Sequence, residues 1–347
     1  MTPGPRTLGL DLGGAHLKLA LVEAGRIRIV RQLPCRLWEG IDRLGEALEA
    51  GTADLGTIDR VALTMTGELA DLFPDRATGV RRLVEAAHLR FPQHPLLVWA
   101  GVAGFLLPEA VPGREALVAS TNWLTTASWL ARHLEQAILV DMGSTTTDIL
   151  LLADGVVQAR GTTDRERLAQ GELVYQGLTR TPLMAIARSA PFEGVMVPLM
   201  NEHFATSADC WRLMGRLDEG HDQHPAADGG PKTAEASARR LARMIGADLA
   251  EADLEDWTGL ARWFTERQER LILDAITLQL SRDLVPPSAP LVVAGCGAGV
   301  VAGLATRLGR PCLDLTTLLP VAPAQAAWAG VCAPAAAVAL LADQPAE

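Results

Sequence analysis

The chain has 347 residues, with 31 basic and 41 acidic side chains (net charge −10), 49% apolar and 21% charged residues; these are the proportions of a globular protein and exclude a disordered one. Its length exceeds that of one small core and predicts two domains, since domains cluster near about 100–200 residues. The negative balance argues against nucleic acid or an anionic membrane as a partner, because both would repel the surface at long range, and leaves small molecules.

The N-terminal residues 1–6 hold two prolines and no basic segment followed by an apolar stretch, so no export signal is expected. From there the chain reads as a short strand at 7–10, Asp11, a turn at Gly13-Gly14, a strand at 17–22, a turn at Ala24-Gly25 and an alternating strand at 27–33. That is a three-strand meander. A strand at 61–66 follows, ending beside Glu68, then helices near 79–89 and 122–133. The meander plan then returns as a strand at 138–140, Asp141, Gly143-Ser144, a strand at 147–152, Asp154-Gly155 and a strand at 156–159. Fourteen residues separate Asp11 from Gly25, and fourteen separate Asp141 from Gly155. Equal spacing of this kind favours a duplicated unit over two coincidental hairpins. The expected domains are therefore 1–135 and 136–347, the second with a helical insertion at about 200–285.

Beyond the second meander lies a polar stretch at 162–175 with the single Tyr, Tyr175, followed by Arg180-Thr-Pro182. It is read equally as a lining of the substrate side or as a helix with exposed charges. Residues 221–231, rich in Pro, Gly and His, predict an exposed loop rather than a metal pair at His221 and His224. Amphipathic helices are expected at 233–245 and 260–284, with Arg239, Arg240 and Arg243 on a solvated side. A strand at 291–294 enters a Gly-rich turn and a helix from about 300, and 333–342, about half the length needed to span a bilayer, predicts a terminal helix. The five cysteines form no C-x-x-C pair, which predicts reduced thiols in a cytoplasmic protein without a disulfide frame.

Three motifs carry chemistry. In Asp11-Leu-Gly-Gly-Ala-His-Leu-Lys18 the glycines Gly13 and Gly14 let backbone N–H groups approach an anion, and Lys18 adds a cation. In Asp141-Met-Gly-Ser-Thr-Thr-Thr-Asp148 the N–H of Gly143 and the hydroxyls of Ser144, Thr145 and Thr146 suit phosphate oxygens, while Asp141 and Asp148 suit Mg²⁺ or its bound water. In Leu291-Val-Val-Ala-Gly-Cys-Gly-Ala-Gly299 the bare glycines Gly295, Gly297 and Gly299 offer a flat surface to a ring. This third motif also matches a dinucleotide fingerprint with Asp314 downstream, but only 48 residues follow Gly299, too few to complete such a domain.

Together the two Asp-Gly meanders and the late Gly-rich turn resemble the actin, Hsp70 and sugar-kinase superfamily, which implies a two-lobed, ribonuclease H-like α/β fold with duplicated mixed sheets, an interlobe cleft and Asp11 facing Asp141. Asp11 to Lys18, Asn122-Trp123, Val140 to Asp148, Gly171-Glu-Leu-Val-Tyr175 and Arg180-Thr-Pro-Leu183 resemble, more narrowly, the hydantoinase A/oxoprolinase-related proteins of tetrahydromethanopterin-linked one-carbon transfer. That resemblance implies methanofuran-type cofactor biosynthesis: a furan-methyl diphosphate joins the phenol of a tyramine- or tyrosine-derived acceptor, an ether forms and diphosphate leaves. It implies Mg²⁺ on Asp11, Asp141 and Asp148, phosphate oxygens on Gly13, Gly14 and 143–146, and a substrate pocket including Asn122, Tyr175, Arg180 and Gly295, Gly297 and Gly299. Lys18, Glu68 and Asp148 are the candidates to favour the phenolate. The expected partners are small molecules, with a second copy of the chain as the one macromolecular partner allowed. The alternatives are an ATP-dependent kinase or ATPase, a hydantoinase- or oxoprolinase-type subunit needing a large partner chain, and a nucleotide-dependent scaffold.

Overall fold

A computed structural model describes residues 4–343; Met1–Pro3, part of the segment from which no export signal is expected, lie outside the described residues. By internal contacts the chain forms two units: Met1–Ala137 with Leu152–Asp164 and Leu313–Glu347, and Ile138–Leu151 with Arg165–Cys312.

In the first unit, β1 (Arg6–Leu12), β2 (His16–Glu23) and β3 (Arg26–Pro34) form the expected meander. After α1 (Asp42–Thr52) come β4 (Arg60–Met65), α2 (Arg76–Arg90), β5 (Leu96–Trp99) and β6 (Phe105–Leu106), giving the sheet order β3-β2-β1-β4-β5-β6. β1 runs antiparallel to β2 and parallel to β4, with Asp11 opposite Lys18 on one side and Thr64 on the other. Alternation divides β1 between two layers. Leu8, Leu10 and Leu12 are fully buried in one cluster with Leu44 and Leu48 of α1 and Leu83 of α2. Burying side chains of this size contributes about 1.5–3 kcal/mol each.

Gly9 faces the opposite way. A Cβ there would lie 2.1 Å from the carbonyl oxygen of Ala335, so the small side permits close approach of the C-terminal helix. α3 (Glu115–Val118) and α4 (Asn122–Ala131) complete the helices of the first 137 residues.

In the second unit β7 (Ala137–Met142) pairs with β8 (Thr147–Ala153). The strand expected at 156–159 is only the two-residue β9 (Val156–Val157), which pairs with the last residues of β8 and falls with them in the first unit. After α5 (Asp164–Gln170), β10 (Leu173–Val174) joins the edge. A separate hairpin, β11 (Ser189–Phe192) and β12 (Val195–Pro198), precedes the helical layer of α6 (Ser207–Leu213), α7 (Ala234–Met244) and α8 (Leu254–Leu280). β13 (Leu291–Ala294), α9 (Ala298–Arg307) and β14 (Cys312–Asp314) finish a sheet of order β10-β8-β7-β13-β14. β13 lies parallel to β7 and is buried throughout, as its unbroken apolar run requires of a strand covered on both faces. The helical layer packs around its own apolar cluster, which includes Trp257, Phe264 and Leu241.

Two expectations are corrected here. Arg239 is half-buried and Arg243 exposed, but Arg240 is fully buried and donates to Asp209 (2.8 Å) and Asp228 (3.0 Å). A helical period places Arg240 on the inner side of α7, and Asp209 and Asp228 supply its counter-charge. The stretch 221–231 is likewise no free loop: Asp222 takes Arg212 (2.6 Å) and Lys232, and Asp228 takes Arg240. Ion pairs tether what Pro and Gly content alone assigns to solvent.

The chain ends with α10 (Pro323–Val331) and α11 (Ala333–Asp343), which return to the first unit. No single described helix is long and apolar enough to cross a membrane; α10 and α11 pass together on composition but are bent by 105°, and Ala333–Ala342 is buried.

Gly9→Ala is therefore expected to lower stability by about 1–3 kcal/mol, the usual cost of overpacking. Gly45→Ala, in α1 with nothing within 4 Å of the added methyl, should raise it by about 0.4–1 kcal/mol. Thermal melts of the two variants check both signs.

Candidate functional site

Each unit carries one Asp-Gly hairpin, built by the same backbone device. In the first unit Gly13 N–H donates to Asp11 O (3.2 Å) and His16 O (3.1 Å), closing the turn between β1 and β2. A Cβ on Gly13 would lie 2.7 Å from His16 O, so only glycine fits. The Gly13 N–H is thereby used by the turn itself. Lys18 stands cross-strand from Asp11, with Nζ 4.0 Å from Oδ2.

In the second unit Gly143 N–H donates to Thr146 O (2.8 Å), the counterpart of the Gly13–His16 bond. The turn is braced from behind by 177–180: Leu178 N–H donates to Gly143 O, and Thr179 and Arg180 N–H donate to Ser144 O. A Cβ on Gly177 would meet the carbonyl carbon of Ser144 and the nitrogen of Thr145 at 2.4 Å, so this segment lies directly on the turn. Arg180 Nη1 donates to Thr145 Oγ1 (3.1 Å). Burial pushes the Arg180 guanidinium below its ordinary value, with the Tyr175 ring acting in the opposite sense; a cation so desolvated favours an anion beside it. Tyr175 itself is 63% exposed.

Asp141 ends β7, and its Oδ1 would be 2.4 Å from a Cβ on Gly295. Gly295 has φ +81°, and a Cβ on it or on Gly297 would also collide with Met142. Gly297 N–H donates to Met142 O (2.8 Å). The first two glycines of this motif thus serve packing onto β7, whereas Gly299 has open space around it. Asp314 caps a helical turn by accepting from Thr316 N–H (2.8 Å), and β13 sits between β7 and β14. Neither feature continues a dinucleotide domain.

Asp148 accepts from Arg167 Nη2 (2.8 Å), and Arg167 is 1% exposed. Sequence reasoning missed Arg167, whose only signal is its place in the polar stretch 162–175. Glu68 neither caps a helix nor faces solvent: Asp75 caps α2, accepting from Thr78 N–H, and Glu68 is buried with its Oε1 2.6 Å from Ser120 Oγ. Burial pushes its carboxyl above the ordinary value, partly offset by the Ser120 contact. The same hydroxyl is 2.9 Å from Asp164 Oδ2, which Arg76 Nη2 approaches at 2.6 Å. Asn122 begins α4, its Oδ1 accepting from Trp123 N–H (2.7 Å).

Residues 59–341 match the hydantoinase/oxoprolinase family model. The chain belongs to the hydantoinase/oxoprolinase family. A curated relative from Methanocaldococcus jannaschii, (4-{4-[2-(gamma-L-glutamylamino)ethyl]phenoxymethyl}furan-2-yl)methanamine synthase, is 34% identical over 242 residues, covering 70% of this chain and 72% of the relative. A Methanococcus vannielii protein of the same name is 30% identical over 151 residues, 43% of this chain and 68% of the relative. Among solved structures, nucleotide-free acetone carboxylase is similar in fold, with a TM-score of 0.59 at 12% identity over 96% of this chain and 70% of that one. The α/β class with duplicated mixed sheets expected from the superfamily resemblance is the one observed.

For this family member the Asp148–Arg167 pair sets a stability test. Asp148→Asn removes a carboxylate paired with a buried guanidinium, and breaking a buried ion pair typically costs about 3–5 kcal/mol. Denaturant melts of Asp148→Asn, Arg167→Met and the double variant should show the double variant less destabilised than the sum of the singles. Strict additivity would mean that the two side chains do not couple.

Proposed function

We propose that this chain forms an aryl ether between a furan-methyl diphosphate and the phenol of a γ-glutamyltyramine-like acceptor, releasing diphosphate, in methanofuran-type cofactor biosynthesis. The observation that carries the proposal is the relative 34% identical over 70% of the chain, whose name describes a phenoxymethyl-furan product. In that product the phenol oxygen is bonded to the furan-methyl carbon. Forming this bond requires the carbon to lose another group with its bonding electrons, and diphosphate is a good leaving group when its charge is neutralised. The phenol contributes its oxygen lone pair and releases one proton.

Each hairpin, taken by itself, carries groups of the kind such a leaving group needs. In the first, Gly14 N–H is not used by the turn, and Lys18 adds a fixed positive charge. In the second, the hydroxyls of Ser144, Thr145 and Thr146 stand on a turn whose shape is held by Gly177 and Arg180. Neutralising charge that develops on a departing group is the largest single contribution in many enzymes.

Mg²⁺ would serve such a leaving group, since it commonly binds through one or two carboxylates together with substrate phosphates and water. In the first hairpin Asp11, and in the second Asp141, is the strand-end carboxylate that would serve; Asp148 has one oxygen engaged by Arg167. When bound, Mg²⁺ would neutralise diphosphate charge. The phenol has an ordinary pKa near about 10, so a positive field must favour its anion; Lys18 and Arg180 are the cations of the two hairpins.

Purified protein with Mg²⁺ should release inorganic diphosphate from a furan-methyl diphosphate only when a tyramine-type phenol is present, with ether formed in equal amount by mass spectrometry. Lys18→Met should slow that turnover by about 10²–10³-fold, the usual loss for a charge-stabilising group. Equal release without the phenol would make the protein a hydrolase. A phosphorylated product without ether would make it a kinase.

A further inference from the structure

The contacts around Glu68 require one more proton than two ionised carboxylates and a hydroxyl possess. Ser120 Oγ is 2.6 Å from Glu68 Oε1 and 2.9 Å from Asp164 Oδ2. A hydroxyl has a single proton to donate, so with both acids ionised one contact would set lone pair against lone pair. Arg76, 2.6 Å from Asp164 Oδ2, favours the anion there. Glu68 is 1% exposed, and its Oε2 is buried with no hydrogen-bond partner among the described residues. A buried carboxylate with one oxygen unsatisfied is costly, whereas the neutral acid is not. The proton belongs on Glu68: its Oε1–H donates to Ser120, which donates to Asp164. Burial pushes the Glu68 carboxyl upward, in the same direction.

The surroundings hold this geometry. Ser120 has φ +52°, a conformation rare outside glycine, and its carbonyl is fixed by Trp123 Nε1–H (2.8 Å). Gly79 of α2 packs against the backbone of Glu68, where a Cβ would come within 2.4 Å of its carbonyl oxygen. The charged groups around Glu68 are Arg76 from α2 and Asp164 from the start of α5; the β1–β2 turn carries Asp11 and Lys18, which pair with each other. The Glu68 turn rests directly on that hairpin, since a Cβ on Gly67 would be 2.9 Å from Leu12 O and 3.2 Å from the carbonyl carbon of Gly13. An ionised Glu68 would place a negative charge behind the first anion-binding turn.

We propose that Glu68 and Asp164 hold one proton between them through the Ser120 hydroxyl, and that this proton makes anion binding at the Gly13–Gly14 turn depend on pH. Glu68 acts here as a positioning residue, and no covalent step is involved. The second half of the proposal rests on this turn holding a phosphate group, as in the proposed reaction; the first half does not.

The test has two arms. In the ligand-free arm, infrared spectra of the wild type at neutral pH should show the C=O stretch of a protonated carboxylic acid that Glu68→Gln lacks. Because the folded state keeps a proton that the unfolded chain has released, the contribution of Glu68 to stability, read as the wild type minus Glu68→Gln, should be greatest at acid pH. That difference should fall as pH rises through the elevated Glu68 value. In the binding arm, inorganic diphosphate with Mg²⁺ is titrated calorimetrically into wild type and Glu68→Gln from neutral to alkaline pH. The ligand's own ionisation is common to both proteins, so their ratio isolates Glu68. Affinities should match at the acid end, and the wild type should become weaker by about tenfold at the alkaline end, the effect of one charge at short range. Absence of the carboxylic-acid band in the wild type overturns the shared proton. A band with identical pH dependence of binding in both proteins overturns its effect on the turn. Diphosphate binding to neither protein overturns that effect together with the anion role of the turn, while the band would still establish the shared proton.

Discussion

Backbone packed against backbone, with no side chain between, holds both Asp-Gly hairpins in place. Gly67 lies on Leu12 and Gly13, Gly177 on Ser144 and Thr145, and Gly295 on Asp141 and Met142. At each of these points a single Cβ would stand closer than 3.0 Å to a main-chain or carboxylate atom, a distance that forces displacement; Gly297 packs instead on the Met142 side chain, where a Cβ would lie 2.4 Å from Sδ. Strand ends fixed in this way keep N–H groups and hydroxyls aimed without rearrangement, which is the condition for stabilising charge that appears only during reaction. Glycine thus acts twice in this chain, once by shaping the turns and once by allowing neighbouring segments to brace them.

The acids of the hairpins are matched to bases within their own unit. Lys18 stands opposite Asp11 across the β1–β2 ladder, and Arg167 meets Asp148 from a buried position beyond β8. Asp141 is lodged against Gly295. These environments differ among residues that a motif alone treats alike: Asp148 is tied to an internal cation, Asp11 stands across a ladder from Lys18, and Asp141 lies against a glycine. A net charge of −10 does not conflict with the proposed reaction, since screened long-range repulsion yields to fixed charges at contact distance.

Much of this was legible in the sequence because it depends on local rules. The first meander follows from alternation and turn residues, and the repeat predicts the β8-β7 pair; in the second copy, however, the strand expected at 156–159 is only the two-residue β9, off the sheet path, and β10 takes the place beside β8 that β3 holds beside β2. Helices α2, α4, α7, α8 and α11 fall where the periodicity places them. Pairings between distant segments were not legible. Ser120 reaches Glu68 over 52 residues and Asp164 over 44, and Arg240 finds Asp209 31 residues away; no spacing rule encodes such partners. Gly177 carries no motif of its own, and its importance appears only when Ser144 is found beneath it. Gly295 and Gly297 show the converse case, in which a motif suggestive of a ring-binding surface also has a packing explanation.

The central claim is that the hairpins serve a diphosphate leaving group and not a nucleotide. Calorimetric titration of the purified protein with Mg²⁺-diphosphate and, separately, Mg²⁺-ATP tests it most directly. The account predicts saturable diphosphate binding and no binding of ATP. Tight ATP binding, with diphosphate binding weaker or absent, would contradict it.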